Sequence, residues 1–261
     1  MKIRIFQIDA FTDKPFTGNP AAVCPLDDWL DDDVLQKIAQ ENNLSETAFF
    51  VATHLGFELR WFTPAEEVDL CGHATLAAAH VLFKHLNYKK HDIIFNTRSG
   101  ELKVSKVAQG YKMIFPATMP QVIQPPRKLL LGLGQAIAVQ QVLAAYDYVI
   151  VLENPDDIYR LKPDFSLWSQ LDLRGIVVTA IGNDVDFISR SFFPGINVDE
   201  DPVTGSSHCE LAPYWQQQLH KSKLVAHQVS ARKGTVLCEV IDDKVILIGN
   251  AVDYMSGEIS L

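Results

Sequence analysis

The sequence predicts a mixed α+β fold of two similar lobes, each a curled β-sheet around one buried helix, and three observations lead there. Short strand-like runs recur without the regular strand–helix alternation of a doubly wound sheet. The run from Gly72 to Phe83 is apolar almost all the way round a helical wheel, so this helix must be enclosed, and strands on every side imply a sheet curled about it. Landmarks also recur at one spacing: Gly72 and Gly205 stand 133 residues apart, and Gly100 and Gly234 stand 134 apart.

In chain order, Ile3 to Phe11 alternates apolar and polar residues as a strand does, and Phe16-Thr17-Gly18-Asn19-Pro20 forms a loop into a short apolar strand, Ala21 to Cys24. Leu30, Val34, Leu35, Ile38 and Ala39 repeat at helical spacing, with acids at the start where the helix dipole favours them. Strands Thr47 to Ala52 and Phe57 to Phe62 follow, and Thr63-Pro64 breaks the chain before the buried helix. The second half repeats the order. Phe62-Thr63-Pro64 with Val68-Asp69 ahead of Gly72 is echoed by Phe193-Pro194 with Val198-Asp199 ahead of Gly205. The Pro-rich stretch from Pro116 to Pro126 sets the expected boundary, with lobes at 1–118 and 119–261 and the last strand free to pack back on the first lobe. Pro213, inside the second repeat's helix, is expected to end or kink it, because it cannot bond back to Cys209.

The chain has 261 residues, 48% hydrophobic and 21% charged, enough for a self-sufficient core burying roughly 70–75% of the unfolded surface. A net charge of −9 argues against nucleic acid, which needs clustered Lys and Arg, but leaves room for a small anion at a local positive site. Cys24, Cys71, Cys209 and Cys238 are scattered without CxxC pairing and read as reduced thiols of a cytoplasmic protein. No signal-peptide pattern or membrane-spanning run is expected.

Helices opening at Gly72 and Gly205 leave their first N–H groups unpaired, and glycine lets a ligand approach the backbone, so both starts are candidate carboxylate sites. Each glycine equally suits a plain turn. Groups able to move protons stand nearby in sequence: His73 after Gly72, Asp201 ahead of Gly205, and Glu46 in Asn43-Leu44-Ser45-Glu46-Thr47. Alone, a Glu at a helix-to-strand junction is usually solvated, and a His near a helix start usually makes a structural hydrogen bond. Cys71, His73, His80 and His85 suggest a zinc set, but spacing puts His80 and His85 on different helical faces, so no metal site is expected. Gly132-Leu133-Gly134 lacks the strand, third glycine and acid of a dinucleotide loop.

Taken together, several ordered motifs resemble the PhzF-like family, named after the phenazine-biosynthesis isomerase and related in fold to diaminopimelate epimerase. They are Asp9-Ala10-Phe11-Thr12, Phe16-Thr17-Gly18-Asn19-Pro20, Asn43 to Phe49, Arg60-Trp61-Phe62-Thr63-Pro64, Val68 to Thr75, and Glu200 to Ser206. Ser207 to Trp215 looks like a branch holding many members without an assigned reaction. The resemblance implies a cofactor-independent isomerase, a homodimer, with its active site between the lobes. In that picture Glu46 is the general acid and base, shielded from water as the lobes close. His73 and Asp201 assist proton delivery or hold substrate, and Asn19, Gly72, Ala74, Gly205 and Ser206 contact a small, amino-acid-like carboxylate.

Related epimerases use one cysteine at each helix start. Cys71 occupies the first position, but Thr204 stands at the second, and its hydroxyl is too weak an acid for that role. A rearranged Cys71/Cys209 pair remains an alternative mechanism. A non-catalytic binding or interaction protein with the same cleft is the alternative of another class, favoured if Glu46 points away from His73 and Asp201.

Overall fold

The computed structural model describes residues 1–134 and 137–261. The chain divides into two units: Met1–Ile114 with Ile248–Leu261, and Phe115–Leu247. The division thus falls a few residues ahead of 118/119, and the final segment belongs to the first unit.

In chain order the first unit carries β1 (Lys2–Ala10), β2 (Asn19–Leu26), α1 (Asp32–Asn42), β3 (Glu46–Thr53), β4 (Gly56–Phe62), β5 (Glu67–Val68), α2 (Gly72–Lys84), β6 (Asp92–Thr97), β7 (Gly100–Val107) and β8 (Gly110–Pro116). The second carries β9 (Gln121–Val122), α3 (Arg127–Leu131), β10 (Val139–Ala144), β11 (Tyr148–Leu152), α4 (Pro155–Arg160), α5 (Phe165–Trp168), β12 (Ile176–Ile181), β13 (Phe187–Phe193), β14 (Val198–Asp201), α6 (Gly205–Leu219), β15 (Lys223–Gln228), β16 (Gly234–Ile241) and β17 (Lys244–Gly249). Strand β18 (Ala251–Ser260) ends the chain.

Pairing makes the duplication explicit. In the first unit β1–β2 is antiparallel, β2–β3 parallel, β3–β4 antiparallel, and β4 takes the short β5 antiparallel and β6 parallel before the β6–β7 hairpin. The second unit repeats each step in β10–β11, β11–β12, β12–β13, β13 with β14 and β15, and β15–β16. The fold is therefore mixed α+β, as the periodicities imply, and β18 pairs antiparallel with β1 inside the first unit.

Helix α2 is buried from His73 through Leu82 and packs on β1, β2, β3 and β18. A helix without a polar face is stable only when enclosed in this way. Helix α1 is the opposite case: Leu35, Ile38 and Ala39 face the core, Asp32 and Asp33 sit in the first turn, and Asn43 ends it in the left-handed conformation with its N–H on Ala39 O. Gly18 is required where the chain enters β2, because its φ is +69° and a Cβ there would lie 2.2 Å from Ala10 O.

Of the two outcomes expected at Pro213, an end to the helix does not occur, and α6 runs through it to Leu219. The carbonyl that Pro213 cannot reach, Cys209 O, instead accepts the N–H of Thr118 at 3.1 Å. The local penalty of an interior proline is offset by a bond from outside the helix.

Candidate active site

Helix starts and strand ends bring Asn19, Glu46, Cys71 and His73 together in the first unit. Glu46 opens β3, and parallel pairing sets it opposite Ala21, two residues past Asn19. His73 is the second residue of α2, and Cys71 is the N-cap, whose side chain makes no capping hydrogen bond. Asn19 Nδ2 lies 3.2 Å from His73 Nδ1, while Asn19 Oδ1 accepts from Ser45 Oγ at 3.3 Å. Cys71 Sγ lies 3.5 Å from the same ring nitrogen. Nδ1 thus faces the asparagine amide and the thiol, either of which can donate to it while the ring is neutral and carries its proton on Nε2.

That Nε2 lies 3.0 Å from Glu46 Oε2. Both atoms are shielded from solvent, and their alignment leaves each without a well-formed hydrogen bond. Acid–base pairs of free enzymes are often loosely aligned in this manner and tighten when substrate arrives. Burial opposes charging of the His73 ring, but Cys71 and Glu46 together outweigh it and hold its pKa well above the ordinary value. Burial, reinforced by the Glu46 charge, pushes the Cys71 thiol up to about 11. At neutral pH Cys71 is therefore a neutral thiol.

In the second unit Thr204 is the N-cap of α6, again without a side-chain cap. Its hydroxyl is turned to Asp201 Oδ2, and its N–H is held by Gln228 Oε1 at 2.8 Å. Gln228 also donates to Asp201 O at 2.7 Å, so Asp201, Thr204 and Gln228 form one polar knot. The repeat extends to the helices' first turns. Thr75 Oγ1 donates to Cys71 O at 2.6 Å, and at the equivalent place His208 Nδ1 donates to Thr204 O at 2.7 Å. Burial pushes His208 down to about 4, so it stays neutral and acts as a structural donor.

Ser206 accepts from Arg174 Nη2 at 3.0 Å, and the same guanidinium clamps Asp147 through two bonds of 2.9 and 2.6 Å. The turn carrying Asp147 is pinned in its turn by Glu210 Oε1, which accepts from Tyr146 N at 2.8 Å and Asp147 N at 3.3 Å. Arg174, Asp147 and Gln228 are absent from the sequence-based candidates. One signal was readable: Asp147 directly precedes the wholly apolar strand Tyr148–Leu152, where an acid needs a partner.

Gly205 departs from a plain turn glycine. Its φ lies outside the left-handed range, and a Cβ would meet only Leu247 Cδ1 at 3.7 Å, an ordinary contact. Among the described residues of the second unit, nothing demands a glycine there. Gly72 and Ala74 lie in the first turn of α2; the Ala74 side chain is fully buried, and its backbone N–H lies close to the Cys71 thiol.

The four suspected zinc ligands separate into two groups. Glu46, Cys71 and His73 have donor atoms within 4.8 Å of one another, and His80 and His85 converge instead on Asp253 of β18. The expectation that His80 and His85 diverge is thus corrected: His85 caps α2 in helical conformation with its N–H on Val81 O, and the two rings meet because Asp253 of β18 lies within reach of both.

A family model described as phenazine biosynthesis-like protein (PhzC-PhzF) matches residues 8–257. The chain is 52% identical to an uncharacterized isomerase of Pseudomonas aeruginosa, with all of both chains covered. A crystal structure of a phenazine biosynthesis protein of the PhzF family from Enterococcus faecalis is 44% identical, covers both chains fully, and superposes with a TM-score of 0.97. A hydroxyproline epimerase from Agrobacterium vitis, 8% identical with 100% of this chain and 93% of that one covered, superposes at 0.63 and shares the fold alone.

Proposed function

Because the chain belongs to the phenazine biosynthesis-like family, we propose that it is an isomerase that moves a proton between carbon atoms of a small carboxylate, with Glu46 as the general acid and base. The observation that carries this reading is the close, solvent-shielded approach of Glu46 Oε2 to His73 Nε2 at 3.0 Å, with neither atom otherwise engaged among the described residues. A group that must take a proton from carbon and return it elsewhere cannot be locked in a structural hydrogen bond, and it needs a neighbour that compensates its change of charge. Relatives named as isomerases support the reaction class.

The steps follow from the residues present. The N–H groups at Gly72 and His73 hold the substrate carboxylate at the positive end of α2, where such a contact contributes about 0.3–1 kcal/mol and up to about 2 when partly buried. Glu46, ionised, removes a proton from the carbon activated by that carboxylate. His73, fixed by Asn19 and presenting its Nε2 proton, stabilises the charge that builds on the substrate. Glu46, now protonated, returns the proton at the second carbon, and its ionised state is restored.

The two-thiol alternative is disfavoured. Burial pushes Cys71 to about 11 and Cys209 to about 12, and Cys209 Sγ is directed to Gly205 O of its own helix at 3.5 Å. A pure binding cleft has no need of a carboxylate turned towards a buried imidazole. The test is to incubate the protein in D₂O with a panel of small amino and unsaturated acids and follow carbon-bound deuterium by NMR. Incorporation or conversion that survives in Cys71→Ala and Cys209→Ala supports the proposal, whereas its complete loss in either variant, with the fold confirmed by circular dichroism, would return the chemistry to sulfur.

A further inference from the structure

We infer that His80, His85 and Asp253 form a site for one divalent transition-metal ion of the Zn²⁺ type, held by Nε2 of each imidazole and Oδ1 of the carboxylate. The site lies within the first unit, at the C-terminal end of α2 and against β18, apart from the residues assigned to proton transfer. Asp253 Oδ1 is 2.9 Å from His80 Nε2 and 2.8 Å from His85 Nε2, and all three donor atoms lie within 4.8 Å of one another. Two imidazole nitrogens gathered at one carboxylate oxygen are a donor set that zinc and its neighbours accept, whereas calcium and magnesium seek oxygen alone.

The outer contacts are those of a built site. His80 Nδ1 lies 3.0 Å from the Tyr111 hydroxyl, which fixes the ring so that Nε2 faces Asp253. The His85 ring packs on Phe6 with centroids 4.7 Å apart. The second carboxylate oxygen, Oδ2, is held by Lys84 Nζ at 2.6 Å, leaving Oδ1 to the histidines. Partners of this kind orient metal-binding imidazoles and carboxylates.

The fit requires a local rearrangement of the two rings. Zinc bonds of about 2.0–2.2 Å in tetrahedral array separate ligand atoms by roughly 3.3 Å, so each imidazole nitrogen must draw back from Oδ1 by about half an ångström and turn its lone pair from that oxygen to the ion. His80 is almost fully buried, while the side chains of His85 and Asp253 are 27% and 30% exposed, giving an ion a route in and leaving a coordination position for water. On binding, each neutral ring carries its single proton on Nδ1, and His80 donates that proton to Tyr111 Oη, so neutral rings release none. Lys84 stays on Oδ2, outside the proposed coordination sphere. The ion would pin the end of α2 to a strand whose Asp253 is 173 residues from His80.

The test uses the full chain stripped with EDTA and titrated with Zn²⁺ by calorimetry and with Co²⁺ by absorption. The expected result is one equivalent bound, a visible Co²⁺ spectrum without a thiolate charge-transfer band, and a thermal midpoint raised by Zn²⁺. Affinity should fall at least about 100-fold in His85→Ala, and about 10–100-fold in Tyr111→Phe, which removes only the outer partner. Asp253→Asn, confirmed as folded by circular dichroism, gives a second variant expected to lose the site if His85→Ala is unstable. Absence of saturable binding, affinity unchanged in the folded variants, or a thiolate band abolished by Cys71→Ser would overturn the assignment, the last by placing the ion on Glu46, Cys71 and His73.

Discussion

Replacing Glu210 with Gln is expected to remove a pH-dependent loss of stability between about pH 4.5 and pH 7. Glu210 is fully buried in α6, with Oε1 serving two backbone N–H groups and Oε2 unpartnered among the described residues. Burial first, and the Asp147 charge second, raise its pKa from 4.5 to about 7. Below pH 4.5 the carboxyl is neutral in both folded and unfolded chains, and its contribution is intact. As pH rises towards 7 the unfolded chain releases this proton while the folded one retains it, so stability declines and the contribution is gone above about 7. The gap corresponds to an effect on the order of 3 kcal/mol. Gln keeps the oxygen that Tyr146 and Asp147 need and carries no charge to desolvate. Urea unfolding of both proteins from pH 4.5 to 8 should show the variant gaining on wild type by that amount as pH rises. Parallel stability profiles across the range would refute the reasoning, since they would mean that Glu210 ionises in the fold as readily as in the open chain.

Other consequences concern the proposed chemistry. Cys71→Ala should keep turnover within about tenfold of wild type, and a fall of the 10²–10⁴-fold size typical of an acid–base residue would revive sulfur chemistry. Gly205→Ala should leave the thermal midpoint unchanged or slightly raised, because the added Cβ meets only Leu247. If the α6 start contacts substrate, its kcat/KM should drop by roughly 2–30-fold, equivalent to about 0.3–2 kcal/mol of lost anion stabilisation, and unchanged kinetics would show that the backbone there touches nothing. In Glu46→Gln the His73 ring, left with burial as its main influence, should lose its proton at lower pH than in wild type by ¹⁵N NMR. An unmoved titration would deny the coupling of the pair.

Much of the fold was legible because periodicity and burial are local properties. The run from Gly72 to Phe83 has no polar face and is enclosed, and the recurrence of Gly72 at Gly205 and of Gly100 at Gly234 corresponds to strand-by-strand repetition of the pairing. Glu46 and His73 could be named from motif resemblance, but that they meet at 3.0 Å follows from the parallel pairing of β2 and β3 beside the start of α2, which no local pattern contains. Long-range partners escaped for the same reason. Arg174 finds Asp147 and Ser206 from a loop of no evident character, Thr118 repairs the helix at Pro213, and Asp253 joins His80 and His85 from the far end of the chain. Each depends on which segments the folded sheet sets side by side.

The central claim, that a proton travels through Glu46, is tested most directly by the rate at which a responsive carboxylate gains carbon-bound deuterium in D₂O with wild type and with Glu46→Gln. The variant keeps the side chain's shape while removing the group that exchanges the proton. With circular dichroism confirming the fold, the account predicts a fall of about 10²–10⁴-fold, which is about 2.7–5.4 kcal/mol of barrier. Deuterium entering at the wild-type rate would contradict it.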